Sequence, residues 1–181
     1  MPSPESGLQV AHTADLDPSI LAAARNLLYG VFGDEMTDHD WEHVLGGVHA
    51  IVWEAGELVG HGSVVPRQLL HGGRALHTGY VEGVAVRADR RRRGLGATVM
   101  EALERVVRQA YELGALGATE AGAEFYAARG WELWRGATWA LTPTGRIRTE
   151  DEDDCVFVLP VSAALELSGE LTCDWRDGDS W

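Results

Sequence analysis

The chain contains no lysine: all 15 of its basic residues are arginine, set against 28 aspartates and glutamates. Without lysine there is no GxxxxGK[ST] phosphate loop, and no GxGxxG dinucleotide fingerprint occurs either. The formal net charge of −13 argues against nucleic acid or an anionic membrane as the main partner, because an acidic surface repels polyanions and draws in cations. Cysteine is scarce too. Cys155 and Cys173 make neither a CxxC pair nor a disulfide framework, which points to a reducing compartment. No run of 18 apolar residues occurs, and "MPSPESGLQV" lacks the basic and apolar regions of a secretory leader. A soluble, cytoplasmic protein is the expectation. With 181 residues and 45% hydrophobic content, a single domain (1–181) with a substantial core is expected.

What is present has clear punctuation. "DLDPSILAAARNLLYGVF" starts a helix with Asp17 as N-cap and Pro18 at its first position, and Ile20, Ala24, Leu27, Leu28 and Val31 recur at helical spacing. "GDEMTDHDWEHVLGG" reads as an acidic loop and a short helix stopping at Gly46-Gly47. Three strand-like runs follow, "VHAIVWE", "ELVGHGSVVPRQLL" and "ALHTGYVEGVAV", joined by turns at Ala55-Gly56 and His71-Gly72-Gly73. Connections this short imply an antiparallel meander. Leu95, Val99, Leu103, Val106 and Ala110 form one stripe, predicting an amphipathic helix over about 95–113 that ends at Gly114. "ALGAT" reads as a strand, "EAGAEFYAARG" as a helix closed by Gly130, "WELWRGATWAL" as a strand, "TPTGRIRTEDEDD" as a charged loop and "CVFVLPV" as a strand. The tail to Trp181 is mostly polar. A meander running into βαβαβ makes a mixed α/β (α+β) domain around one sheet.

The segment "VEGVAVRADRRRRGLGATVMEALE" places four consecutive arginines, Arg90 to Arg93, between a strand and a helix. N–H groups at a helix start lack intrahelical partners, and the helix dipole favours an anion there. Glycine lets a ligand approach the backbone, and arginine supplies forked donors for phosphate oxygens. The combination suits a pyrophosphate. As a nucleic-acid patch the run is too short and lacks interleaved aromatics.

The stretch Arg91-Arg92-Arg93-Gly94-Leu95-Gly96 resembles the [RQ]-x-x-G-x-[GA] signature of the GNAT superfamily of acetyl-CoA-dependent N-acetyltransferases. Downstream, "AEFYAARGW" (123–131) resembles the superfamily's A-x-x-F-Y-x-x-x-G-F, with Trp131 in place of the usual Phe. The resemblance implies a GNAT fold, in which the antiparallel meander runs into a splayed parallel strand pair, here about 79–86 and 114–119, flanked by helices. It places the acetyl-CoA core at about 79–131, with the C-terminal strands and tail over 131–181. It implies that Val84, Ala85 and Val86 line the pantetheine arm and that Arg91, Arg92, Arg93, Gly94, Leu95, Gly96 and Ala97 hold the pyrophosphate. Acyl transfer to an amine needs a base, an oxyanion donor and an acid. By the same resemblance Glu82 is the base, the Val84 N–H the oxyanion donor and Tyr126 the acid; a phenol with pKa of about 10 is protonated at neutral pH.

Acidic residues gather in "GDEMTDHDWE", "EDEDD" and "DWRDGDSW". Each alone is an ordinary solvated loop; together they suit a polycationic acceptor. Trp41, Trp175 and Trp181 could offer flat faces to a sugar or cation. The whole chain further resembles the mycobacterial-type aminoglycoside 2′-N-acetyltransferases, from "LDPSILAAARNLLYGVFGDEMTDHDWEHVLGG" through "TEDEDDCVFVLP" to "LTCDWRDGDSW". That resemblance implies transfer to the 2′-amine of an aminoglycoside by a homodimer. The expected acceptor-binding residues are Asp34, Glu35, Asp40, Glu82, Gly83, Glu152, Asp179 and Trp181, the last through a terminal carboxylate. Another amine, such as a polyamine, a cell-envelope metabolite or a protein amine, remains the alternative acceptor. "HDWEH" (39–43) fits the H-x-x-E-H zinc-peptidase pattern, but its helix is short and no third ligand is evident, so no metal is assigned. The remaining histidines read as surface or strand residues, and Cys155 as packed.

Overall fold

The computed structural model describes residues 5–181. In chain order the main elements are β1 (Gly7–His12), α1 (Pro18–Phe32), α2 (Asp38–Val44), β2 (Val48–Glu54), β3 (Glu57–His71), β4 (Arg74–Val86), α3 (Leu95–Ala110), β5 (Leu113–Gly117), α4 (Glu120–Ala128), β6 (Glu132–Leu133), β7 (Thr138–Thr142), β8 (Gly145–Arg148), β9 (Val156–Pro160) and β10 (Leu171–Cys173). The chain groups into two compact units. The first takes the chain up to Val65 together with Val81–Val106; the second takes Pro66–Tyr80 and Val107–Trp181. The long strands β3 and β4 each run through both.

In the first unit, β1, β2 and β3 pair antiparallel, with a register shift at Val52/Trp53. Ala55 (φ 50°) and Gly56 (φ 75°) close the β2–β3 hairpin, both left-handed as a two-residue turn of the mirror-image type requires. α1 starts as the sequence indicates, with the Asp17 carboxylate accepting from the Ser19 N–H at 2.9 Å. Such a cap is worth about 1 kcal/mol. Its buried residues Ile20, Ala24, Leu27 and Leu28 join Val44, Ile51, Trp53, Leu58 and Ala85 in one core. On α2, Thr37 and Asp40 form a reciprocal capping box. The opposite face of β3 takes α3 closely. A methyl built on Gly62 would lie 2.8 Å from Val99 Cγ1 and 2.9 Å from Leu103 Cδ1, so only glycine allows the helix this near.

In the second unit the strand order is β6-β9-β5-β4-β3-β10-β7-β8. β4 pairs parallel with β5 through Thr78, Gly79 and Tyr80 against Leu113, Gly114 and Ala115, and β10 pairs parallel with β7. The expected mixed α+β sheet flanked by helices is present.

Several boundaries differ from the sequence reading. α3 stops at Ala110, and Gly114 lies inside β5 rather than capping the helix. A methyl on Gly114 would meet Val107 Cγ1 at 2.9 Å and Leu159 Cβ and a Trp131 ring carbon at 3.1 Å, so this glycine serves close packing. Accordingly the buried face of α3 is Val99, Met100, Leu103 and Val107; Val106 is half-buried and Ala110 exposed. The run 131–141 is two strands, β6 pairing with β9 and β7 with β8 and β10. Part of the "charged loop" is β8, hairpinned onto β7, and the polar tail contains β10. The N-terminal strand β1 carried no expectation.

Candidate active site

The segment after β4 is divided by function. Arg90 is not available to a ligand: its Nε donates to Glu54 Oε2 at 2.7 Å and its Nη1 to Asp89 Oδ2 at 2.7 Å. Arg87 is likewise held by Glu57 (2.6 Å) and Asp89 (2.7 Å). The pairs with Glu54 and Glu57 staple the turn to the β2–β3 hairpin. Arg91, Arg92 and Arg93 are exposed, and Arg91 Nε reaches the Val86 carbonyl at 3.3 Å. Arg92 (φ 61°) and Gly94 (φ 81°) are both left-handed. Alternation of this kind turns successive N–H groups towards one concavity, an anion-binding nest. α3 begins at once, and the first N–H to find a carbonyl behind it is that of Thr98, bonded to Gly94 at 3.0 Å. The amides of Leu95, Gly96 and Ala97 thus lead the helix, where its dipole attracts an anion. A methyl built on Gly94 would meet nothing within 4 Å, so space is open at the turn. Donors, dipole and room fit a diphosphate.

Upstream, Glu82, Gly83 and Val84 are half-buried and Ala85 is buried. Gly83 departs from strand geometry with φ 56°, and its carbonyl takes a hydrogen bond from His61 Nδ1 at 2.9 Å. A methyl there would lie 2.9 Å from Val44 Cγ2 and 3.2 Å from Leu28 Cδ1. The left-handed glycine is therefore seated against α1 and α2, which brings the acidic segment to the same part of the unit as Glu82–Gly83. Asp34 and Glu35 are exposed in a 3₁₀ turn, Gly33–Glu35. Asp40, expected to hold the acceptor, spends its Oδ2 on the Thr37 N–H and hydroxyl, both at 2.8 Å. Its neighbour Asp38 pairs with Arg25 at 2.6 Å and Tyr29 at 2.7 Å. Trp41 packs against the core, with part of its surface left open.

In the second unit, Tyr126 lies on α4 among Phe125, Trp131 and Phe157. Burial pushes its phenol up to about 12. The group stays protonated and has a proton to donate. The tail is anchored by a residue that sequence reading did not single out. Arg67, 5% exposed, donates through Nε to Asp174 Oδ1 (2.7 Å) and through Nη2 to the Asp174 and Ser180 carbonyls (3.0 and 2.8 Å). Trp181 is buried, its indole donating to Thr149 Oγ1 at 3.0 Å and its main-chain oxygen accepting from Arg176 Nη2 at 2.7 Å. Asp179 is exposed and its Oδ1 accepts from the Trp181 N–H at 3.2 Å. Burial, with help from the charges of Asp179 and Asp151, holds the Glu152 carboxyl above its ordinary value; Arg176 opposes the shift. This cluster is electrostatically short of cation. Trp175 is 47% exposed beside it in sequence.

The pattern His39–Glu42–His43 sits on the seven-residue α2, with His39 Nδ1 3.7 Å from Glu42 Oε2. Among the described residues, no group of three or more His, Cys, Asp or Glu is arranged to hold a metal ion. His49 and His61 are strand residues, on β2 and β3, and both are fully buried. Cys155 precedes β9 and is partly buried.

Residues 15–134 match a family model described as an acetyltransferase (GNAT) domain. The chain is 48% identical over 177 residues to the aminoglycoside 2′-N-acetyltransferase of Mycolicibacterium fortuitum, covering 96% of this chain and 91% of that one. In fold it is similar to Escherichia coli ElaA (TM-score 0.62, 19% identity, 84% of this chain and 98% of that one). It is also similar to a GNAT family acetyltransferase from Brucella melitensis, solved in complex with acetyl-CoA (TM-score 0.60, 15% identity, 91% and 94%).

Proposed function

The chain belongs to the GNAT acetyltransferase family, and we propose that it moves acetyl from acetyl-CoA directly onto the 2′-amine of an aminoglycoside within a ternary complex. The whole-length likeness to the M. fortuitum enzyme carries this reading. The acidic character of the chain supports it independently, since an aminoglycoside is a polycation.

Acetyl-CoA supplies an activated thioester; the protein supplies grip and proton traffic. The amides of Arg92 to Ala97, with the Arg91–Arg93 side chains, bind the diphosphate, and main-chain groups of Val84 to Val86 bind the arm beyond it. An ammonium has no lone pair, so Glu82 takes the proton from the acceptor amine. The Val84 N–H donates to the carbonyl oxygen as it gains charge. Tyr126 donates to the departing sulfur. Glu82, Gly83 and carboxylates at Asp34, Glu35 and Asp40 are the acceptor-binding groups of the first unit. Glu152, Asp179 and Trp181 are those of the second. Asp40 is the weakest member, because its capping role already occupies one oxygen. Acetylation removes one charge from the drug and gives resistance.

The test is a thiol-release assay with three acceptors: an aminoglycoside carrying a 2′-amine, one carrying a 2′-hydroxyl, and spermidine. Release with the first alone, and a product acetylated at N2′ by NMR, is the expected result. Faster release with spermidine than with any aminoglycoside overturns the substrate assignment. The same reading includes a homodimer acting in the cytoplasm, and a monomeric mass by light scattering contradicts the dimer. Among the described residues no helix is long and apolar enough to cross a membrane.

A further inference from the structure

In the first unit, two histidines with no exposed surface lie end to end beneath Gly83. His61 Nδ1 is 2.9 Å from the Gly83 carbonyl, and His61 Nε2 is 3.0 Å from His49 Nδ1. His49 Nε2 is 2.7 Å from Thr13 Oγ1, which itself accepts from the Gly46 N–H at 2.9 Å. Burial keeps both rings neutral, with His61 lowered to about 4 and His49 to about 3.

A neutral imidazole has one N–H and one acceptor nitrogen. A carbonyl can only accept, so His61 carries its proton on Nδ1. Its Nε2 is then an acceptor, which requires the proton of His49 to be on Nδ1 as well. His49 Nε2 is left an acceptor, so the single Thr13 hydroxyl proton goes to it at 2.7 Å rather than to the Gly47 carbonyl at 3.2 Å. The opposite order would set a nitrogen lone pair against the Gly83 oxygen. The chain therefore has one direction, from Gly46 N–H to Gly83 C=O.

Where it ends matters. In a trans peptide the C=O and the following N–H point in opposite directions. The bond from His61 thus fixes the plane of the Gly83–Val84 peptide and aims the Val84 N–H away from the imidazole. Left-handed Gly83 allows this peptide to depart from its strand, and hydrogen bonds in series polarise one another and strengthen the last donor. We infer that His61, backed by His49 and Thr13, is a positioning residue that holds the Val84 amide as the oxyanion donor. This rests on the role given to Val84 under Proposed function.

The experiment has two arms on the full-length protein. Long-range ¹H–¹⁵N spectra of the histidine side chains at pH 6–8 should show both His49 and His61 as the Nδ1–H tautomer; an Nε2–H proton on His61 overturns the inference. In kinetics, His61→Leu should lower kcat at least tenfold with both KM values within twofold of wild type. His61→Asn, whose amide can present an N–H near the Nδ1 position, should recover most of the loss. Unchanged kcat in a folded His61→Leu, or equal loss in both variants, overturns it. Should both fail to fold, Thr13→Val at the partly exposed end should lower kcat about threefold at constant KM, and an unchanged kcat overturns the inference. A wild-type protein that transfers acetyl to no amine removes the underlying reading instead, while active enzyme with an insensitive His61→Leu removes only this inference.

Discussion

Replacing Tyr126 by phenylalanine isolates one hydroxyl. Burial moves the phenol from 10.0 to about 12, which at 1.36 kcal/mol per unit disfavours the phenolate by roughly 2.7 kcal/mol. Against an ordinary thiol of pKa about 8.5, complete proton transfer to the free thiolate is uphill by about 3.5 units, or roughly 5 kcal/mol. The hydroxyl therefore works by hydrogen bonding to sulfur as charge forms, and removing it should lower kcat by about 10²–10³. Binding should change little. The ring itself stays, with Trp131 and Phe157 at 6.3 Å centroid separation and the α4 backbone of Gly122 one turn away, so Tm should shift by only a few degrees. The assay is steady-state thiol release from pH 6 to 10.5, with thermal denaturation alongside. A phenol near 12 gives wild type no alkaline limb below pH 10.5. Tyr126→Phe retaining kcat within twofold refutes the acid role. A limb near pH 9 present in wild type and absent from the variant refutes the electrostatic argument.

Four further outcomes follow from the same geometry. Gly94→Ala forces a side chain onto φ 81° and narrows the turn, so KM for acetyl-CoA should rise several-fold while KM for the aminoglycoside holds. Arg92→Gln with Arg93→Gln should raise the same KM and flatten its dependence on salt, measured between about 50 and 300 mM. Arg148 and Thr138 hold Asp153 down to about 2 from 3.8, so its stabilisation is present above pH 4 and lost as pH falls towards 2. With its side chain 35% exposed and screened, Asp153→Asn should cost about 1 kcal/mol in urea denaturation at pH 7, and nothing near pH 2. Glu152, raised by burial, favours the folded state when protonated and loses that contribution as pH rises. Glu152→Gln should therefore raise the ligand-free Tm at pH 8 and weaken aminoglycoside binding by calorimetry.

Local signals carried the sequence reading furthest. Asp17-Pro18 places α1, Ala55-Gly56 and Gly72-Gly73 set the hairpins, and the strand–turn–helix around Gly94 marks the candidate anion site. Each depends on residues adjacent in the chain. The errors share the opposite character. Gly114 reads as a helix stop because its real reason, the approach of Val107, Leu159 and Trp131, comes from three distant segments. β10 has three residues and exists because β3 and β7 leave it a slot. Of the arginine run, contacts with Glu54 and Asp89 separate Arg90 from its neighbours. His49 and His61 stand 12 residues apart in two largely apolar strands, with no spacing that marks a pair. Only the antiparallel register of β2 on β3 brings them together.

In the proposed mechanism the turn from Arg92 to Ala97 grips the diphosphate of coenzyme A. Backbone amide NMR during a titration with coenzyme A reads that turn residue by residue. The largest shifts are expected at Arg92, Arg93, Gly94, Leu95, Gly96 and Ala97, saturating together with those at Val84 and Val86. Saturable binding that leaves these amides unmoved contradicts it.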